Sequence, residues 1–216
     1  MNESIANIRL NYSKQTLLEA DVKSNPIEQF GIWWHEALKA ELSEVNAMTL
    51  ATASADGIPA ARIVLLKGVT PEGFVFYTNY NSFKGQQLQE NPKACLVFFW
   101  KELERQVRIT GLVAKTSESD SNEYFYSRPV GSQIGAAISA QSTVIPDRTV
   151  LENAYQQMEE SVTANAATVT RPLHWGGYIV KPVTVEFWQG RPSRLHDRLQ
   201  YSLQTDGSWL IERLAP

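Results

Sequence analysis

Between Ala47 and Ala114 the chain is cut into short apolar runs by tight-turn signals, and this pattern limits the available folds more than any other feature. Met48–Ala53 reads as a strand, Asp56-Gly57 as a hairpin turn, and Pro59 onward as the return strand, in which Arg62-Ile63-Val64-Leu65-Leu66-Lys67 reads as buried with a cation at each end. Gly68 to Gly73 reads as a turn, Phe74-Val75-Phe76-Tyr77-Thr78 as the next strand, and Ala94–Trp100 and Glu104–Ala114 as two more. About six strands joined mainly by short turns predict an antiparallel barrel or sandwich, not a parallel sheet.

Helical patterns flank this block. Residues 1–24 are polar with scattered apolar positions and read as a weakly helical arm. Asn25-Pro26-Ile27-Glu28 opens a helix, with Asn as N-cap and Pro in the first turn, and Ile27, Phe30, Trp34, Ala37, Leu38 and Leu42 fall near one face. Ser82 caps a short helix that Asn91-Pro92 stops. Glu118–Ser127 reads as a helix ended by Arg128-Pro129, Gly131–Gly135 as a lead into a small-residue helix at 136–140, and Asp147–Ser161 as a polar helix. Residues 164–170 read as a mobile loop. From Trp175 the chain returns to strands: two pieces broken at Pro182, then one that puts Arg194, His196 and Arg198 on a shared face, then a hairpin closed by Asp206-Gly207.

A net charge of −3, with no basic tail, argues against a nucleic-acid binder. The longest apolar run, Ala94 to Trp100, is too short to span a bilayer, and Met1-Asn2-Glu3-Ser4 lacks a signal-peptide layout. Cys95 is the sole cysteine, which excludes an intrachain disulfide and disfavours a thiolate metal site. His35, His174 and His196 are far apart, so no metal centre is expected. A cytoplasmic location fits these features.

The chemistry-bearing stretch runs from Arg62 to Lys84. Cations ending an apolar strand are costly to bury unless an anion meets them, and hydroxyls, amides and a lysine at a helix start suit a phosphate. A hairpin whose Arg62 and Lys67 reach solvent at a sheet edge explains the same residues without any ligand. Five positions separate Arg62 from Lys67, so on a regular strand they point to opposite faces. Gly131-Ser132-Gln133-Ile134-Gly135 is not a hydrolase elbow, because its serine stands one place too early.

Taken in order, Arg-Ile-Val-Leu-Leu-Lys (62–67), Phe-Tyr-Thr-Asn (76–79), Leu-Glu-Arg-Gln-Val (103–107), Ser-Arg-Pro (127–129), Ser-Gln-Ile-Gly (132–135), Glu-Phe-Trp-Gln-Gly (186–190), Arg-Leu-His-Asp-Arg (194–198) and Arg-Leu-Ala-Pro (213–216) resemble the pyridoxamine/pyridoxine 5'-phosphate oxidase family. The likeness runs from about residue 8 to the last residue. It implies a mainly β fold with flanking helices, an antiparallel split β-barrel of the FMN-binding type, as a single domain over 25–216 with an arm over 1–24 that covers the active site. It further implies a homodimer with FMN between subunits. The reaction would be oxidation of pyridoxine or pyridoxamine 5'-phosphate to pyridoxal 5'-phosphate by O2, releasing hydrogen peroxide, and ammonia from the amine.

By the same resemblance, FMN contacts fall on Arg62, Ile63, Val64, Leu65, Leu66, Lys67, Tyr77, Thr78, Lys84, Gln106, Gln141, Ser142, Trp188 and Arg198. The substrate phosphate falls to Lys67, Tyr124, Arg128 and Ser132; Arg194 and His196 face the pyridine ring as the catalytic pair; Arg9 and Tyr12 cover the substrate. One residue departs from the pattern: the family usually carries arginine directly before the lysine at position 84, where this chain has Phe83. Two other readings compete, a split-barrel flavoprotein with another substrate and a non-catalytic flavin or pyridoxal-phosphate binder. The full substrate set speaks against both, because a repurposed site has no need of it.

Overall fold

In the computed structural model, which describes residues 11–165 and 168–216, the described residues form nine strands hydrogen-bonded in the order β2-β1-β5-β6-β7-β4-β3, with β8 on β7 and β9 on β8. The strands are β1 (Ala47–Ala53), β2 (Pro59–Leu65), β3 (Gly68–Thr70), β4 (Gly73–Asn79), β5 (Lys93–Trp100), β6 (Arg105–Lys115), β7 (Trp175–Gln189), β8 (Asp197–Leu203) and β9 (Trp209–Arg213). Five helices accompany them: α1 (Pro26–Lys39), α2 (Phe83–Glu90), α3 (Glu118–Ser127), α4 (Val130–Ile138) and α5 (Thr149–Asn165). The chain packs as two compact units, one of the described residues up to Leu50 with Cys95–Gly111 and Pro182–Pro216, the other of Ala51–Ala94 with the described residues of Leu112–Lys181.

The first unit is built on α1. Asn25 caps it by accepting from the Ile27 N–H at 2.8 Å. Its buried face carries Pro26, Gln29, Phe30, Trp33 and Ala37. This corrects the expected stripe: Trp33 lies inward in place of Trp34, Leu38 is exposed, and Leu42 falls beyond the helix. Phe30 meets Phe98 at 5.2 Å between ring centroids, and Trp33 meets Phe187 edge-on at 5.1 Å. Each such fully buried aromatic contributes roughly 1.5–3 kcal/mol of transfer free energy. Residues 11–18 are irregular, with one 3-10 turn at Glu19–Asp21, so the weakly helical arm is not found in this part; residues 1–10 lie outside the described residues.

The second unit carries the β3–β4–β7 ladder and helices α2 to α5. Gly68–Thr70, expected as part of a turn, is a strand pairing Gly68 with Val75 and Thr70 with Gly73, so the turn shrinks to Pro71-Glu72. β4 pairs antiparallel with the first part of β7, setting Phe76 opposite Tyr178. Phe125, Ile134, Val169 and Trp175 form a buried cluster against which Tyr155, Met158 and Val162 of α5 pack.

Four further expectations are corrected. The Arg62 strand is not buried: β2 stands at the end of the strand order, its exposure alternates, and Ile63 is 65% exposed. β7 runs unbroken through Pro182, because its pairing with β4 covers Trp175–Val180 and its pairing with β8 covers Thr184–Gln189; the missing N–H falls between the two registers. α4 starts at Val130, so Gly131–Gly135 lie inside the helix, held there by burial of Ile134 in the cluster around Phe125. Arg194 and His196 precede β8. Pro192–Arg194 is a 3-10 turn with Ser193 at φ 58° and Arg194 at φ 63°, so the three-cation strand face does not form.

Candidate functional site

A cleft of about 720 Å³ opens in the second unit. The end of β2 and the following loop (Arg62–Leu65, Lys67), the end of β4 (Tyr77–Asn79), Lys84, Tyr124 and Arg128, the start of α4 (Ser132, Gly135, Ala136), Ser139, Gln141 and Trp175 line it. β2 ends at Leu65, so strand alternation does not reach Lys67, and both cations face one cleft, not opposite faces of a strand. Among the described residues no carboxylate lines it.

Arg62 and Lys84 are neighbouring cations in the cleft lining. The Arg62 Nη1 donates to Thr52 Oγ1 at 2.6 Å, and that hydroxyl donates to Gln87 Oε1 at 2.6 Å. Ser82 caps α2 by accepting the Gly85 N–H, and Lys84 is the second residue of the helix, after Phe83. Only glycine fits at 85: a Cβ there would stand 2.0 Å from the Tyr80 carbonyl oxygen, so the helix start packs straight onto the chain leaving β4. Lys84 Nζ donates to Gln141 Oε1 at 2.8 Å and to Thr78 Oγ1 at 3.3 Å. Desolvation, and then the neighbouring Arg62 charge, push the Lys84 ammonium below its ordinary pKa; desolvation also lowers Arg62. Two cations that disfavour each other, in a cleft with no carboxylate among its described lining, leave positive charge that an anion would neutralise.

Lys67, Tyr124, Arg128 and Ser132 line the same cleft. Tyr77 and Tyr124 stack at 4.0 Å, and Tyr77 and Trp175 at 5.6 Å, giving a wall of three near-parallel rings. The Arg128 guanidinium lies 4.7 Å from the Trp175 ring centroid, and its Nη1 is buried with no partner among the described residues. An unpartnered buried guanidinium N–H costs free energy that an anion recovers. Lys67 Nζ stands 6.0 Å from the Tyr124 ring centroid.

The first unit gathers a second set. Trp188 and His196 lie 4.5 Å apart between centroids, and Tyr12 meets Trp188 edge-on at 5.9 Å and His196 at 6.0 Å. The Arg191 N–H donates to His196 Nδ1 at 3.1 Å, which leaves Nε2 to carry the proton of the neutral ring. Desolvation and the Arg194 charge lower the His196 pKa, so the neutral form holds at neutral pH. Arg194 itself is exposed. Arg198 is engaged: its Nη2 donates to the buried Glu186 carboxylate at 2.9 Å and its Nη1 to the Ala215 carbonyl at 2.8 Å. Gln106 is half-buried on β6.

Of the residues named from the sequence, Arg62, Ile63, Val64, Leu65, Lys67, Tyr77, Thr78, Lys84, Tyr124, Arg128, Ser132 and Gln141 converge on the cleft. Leu66 is buried away from its lining, and Ser142, at φ 74°, lies in an exposed turn outside it. Arg9 lies outside the described residues. Tyr12, Trp188 and His196 form the separate cluster in the other unit, near Arg194, with Gln106 and Arg198 in that same unit. Sequence reasoning missed Thr52 and Gln87, which orient Arg62, and Trp175, which closes the aromatic wall. The Trp-Gly-Gly at 175–177 was the available signal for the last; nothing local marks Thr52.

Fold and cleft together define an antiparallel split β-barrel protein with flanking helices and a cationic, aromatic-walled binding site. The comparisons narrow the class: the family model "Pyridoxamine 5'-phosphate oxidase" matches residues 34–161, and "Pyridoxine 5'-phosphate oxidase C-terminal dimerisation region" matches 175–216. The chain belongs to the pyridoxamine 5'-phosphate oxidase family. It is 54% identical over 216 residues, all of both chains, to a pyridoxine/pyridoxamine 5'-phosphate oxidase of Trichormus variabilis. It is 54% identical over 213 residues, 99% of each chain, to one of Ralstonia nicotianae. Among solved structures, PhzG of Burkholderia lata, in complex with tetrahydrophenazine-1-carboxylic acid, superposes with a TM-score of 0.87 at 29% identity over 94% of this chain and 100% of its own. A pyridoxamine 5'-phosphate oxidase-related, FMN-binding protein of Nostoc punctiforme shares the fold with a TM-score of 0.66 at 19% identity, over 86% of this chain and 96% of its own. No described helix is long and apolar enough to cross a membrane.

Proposed function

We propose that the protein is an FMN-dependent oxidase that converts pyridoxine 5'-phosphate or pyridoxamine 5'-phosphate to pyridoxal 5'-phosphate with O2. The observation that carries this reading is one cleft lined by two sets of cations, Arg62 with Lys84 and Lys67 with Arg128, and by a flat aromatic wall. Two phosphates, one on the cofactor and one on the substrate, would account for both sets of cations. The donors fit FMN: Lys84 and Arg62 for its phosphate, with Thr78 and Gln141 beside them as neutral hydrogen-bonding groups. FMN, when bound, supplies the two-electron acceptor that O2 reoxidises with release of hydrogen peroxide.

The chain's own contribution is positioning and charge. Arg128, with its unpartnered Nη1, grips the substrate phosphate together with Lys67, Ser132 and the Tyr124 hydroxyl. The neutral His196 offers its Nε2 proton to the pyridine ring, and exposed Arg194 stabilises negative charge developing on the substrate. Arg9, Tyr12 and the rest of the arm over 1–24 exclude water from the bound ester. Gln106, Trp188 and Arg198 complete the flavin's surroundings in a homodimer that holds FMN between subunits, a reading the dimerisation-region match supports. The apolar side chains of Ile63 and Leu65 on the terminal strand β2 are a surface such a dimer covers.

The test is an aerobic assay of purified protein with FMN and each phosphate ester, following pyridoxal phosphate and peroxide. Stoichiometric formation of both products is expected. Flavin binding without turnover of either ester would move the protein to a split-barrel flavoprotein of another substrate, and failure to retain flavin would remove the reading altogether.

A further inference from the structure

The segment 12–19 crosses the first unit as a strap, and almost every tie that holds it there is a side chain from elsewhere. Asp197 Oδ2 accepts the Leu17 N–H at 3.1 Å, Arg213 Nη2 donates to the Leu17 carbonyl at 2.8 Å, and Arg191 Nη1 donates to the Gln15 carbonyl at 3.0 Å. Arg213 also pairs with Glu19, Arg105 bonds the Gln15 side chain, and Leu17 is buried. These ties secure residues 15–19. The end that carries Tyr12 depends on something else.

We propose that Glu104 is the positioning residue that seats Tyr12 over the Trp188–His196 pair, with Gly190 as the floor of the seat. The Glu104 Oε2 accepts both the Ser13 N–H at 2.9 Å and the Lys14 N–H at 3.0 Å, the two amides that directly follow Tyr12. The main chain of the same residue holds the floor: its carbonyl accepts the Gly190 N–H at 2.7 Å and Gln189 Nε2 at 3.2 Å. Glu104 is 8% exposed, sits in the left-handed region at φ 55°, and forms no ion pair among the described residues. A buried carboxylate without a cation is expensive, and among the described residues the partners of this one are the strap's two amides. Gly190 is equally constrained. A Cβ on it would stand 2.8 Å from Tyr12 Cβ, Cγ and Cδ2, so any side chain at 190 expels the tyrosine. One residue thus fixes both the chain after Tyr12 and the backbone under its ring.

The inference rests on the oxidase reading insofar as Tyr12 covers the substrate, and the experiment separates the two. In the FMN-loaded full-length protein, Glu104→Ala, Glu104→Gln, Gly190→Ala, Tyr12→Ala and the double variant Glu104→Ala with Tyr12→Ala are compared by hydrogen exchange at the Ser13 and Lys14 amides and by steady-state turnover of pyridoxine 5'-phosphate. Glu104→Ala is expected to raise exchange at both amides while Leu17 stays protected, and to raise KM about tenfold with kcat and flavin retention near wild type. Glu104→Gln, which keeps an acceptor, recovers most of both effects. Gly190→Ala raises KM with the amides still protected, and the double variant is no worse than Tyr12→Ala alone. Unchanged exchange at Ser13 and Lys14 in Glu104→Ala, or additive losses in the double variant, would overturn the proposal. If the wild type turns over neither ester while the exchange pattern holds, the seat stands and only the oxidase reading fails.

Discussion

At the scale of single residues, charge in the wrong company identifies the site. Lys84 carries a pKa below the 10.5 of an ordinary lysine because it is partly desolvated and faces Arg62. Between its folded pKa and 10.5 the unfolded chain holds more protons than the folded one, so without ligand this group makes the protein more stable as pH rises through that window. Anion binding has the opposite sign, since a bound phosphate favours the charged lysine. FMN affinity is therefore expected to fall in an alkaline range below that of an unperturbed lysine, and Lys84→Arg should abolish the fall because arginine stays charged. Fluorescence titration of flavin release against pH measures this; an identical profile in Lys84→Arg would clear Lys84 of the role. For Arg194→Ala the expectation is a loss of turnover of about 100-fold with an intact flavin spectrum, as for removal of a group that stabilises developing charge. An unchanged rate would place Arg194 outside the active site.

Elements decide which of these residues meet. Helix α2 matters less for its own packing than for what its cap delivers: Ser82 and Gly85 set the first turn against Tyr80, and Lys84 lands beside Thr78 and Gln141. Phe83 is the first residue of that helix and is 53% exposed, so its ring satisfies no packing demand in this unit. Phe83→Arg is expected to tighten FMN binding by about 1–3 kcal/mol through one added charge-assisted bond. Equal dissociation constants for the two proteins, measured by flavin fluorescence quenching, would mean that existing donors already saturate the phosphate. The turn at Pro192–Arg194 acts in the same way on the other unit, since positive φ at Ser193 and Arg194 re-aims the chain between the end of β7 and the start of β8. That is why Arg194 and His196 do not share a strand face with Arg198, and why His196 can turn its Nδ1 to the Arg191 amide.

Across the whole molecule, the proposed homodimer makes a separate prediction. Ile58, Ile63 and Leu65, on or beside β2, are exposed, and β2 ends the strand order, so this edge is open in one chain. Ile63→Glu is expected to shift flavin-free protein from dimer to monomer in sedimentation equilibrium. A dimer of unaltered affinity would exclude this edge from the interface. The cleft belongs wholly to one unit, while Tyr12, Trp188 and His196 belong to the other. Local motifs name both groups without saying which unit each falls in.

What the sequence settles alone is whatever depends on neighbours along the chain. Turn residues at Asp56-Gly57 and Asp206-Gly207, caps at Asn25 and Ser82, the Pro stop after Asn91, and the antiparallel class all follow from local sterics and hydrogen bonding, and all are found. The family likeness, and with it most of the cleft, was equally legible, because its motifs are short and contiguous. Only the tertiary structure could decide the remainder. That β2 is an exposed edge, that Trp33 and not Trp34 turns inward, that Pro182 falls between two pairing registers, and that Glu104 reaches across to Ser13 and Lys14 are outcomes of contacts between residues far apart in the chain. Periodicity can say that a residue is on a face. It takes the packed partner to say which face is buried, and which buried charge is left waiting for an anion.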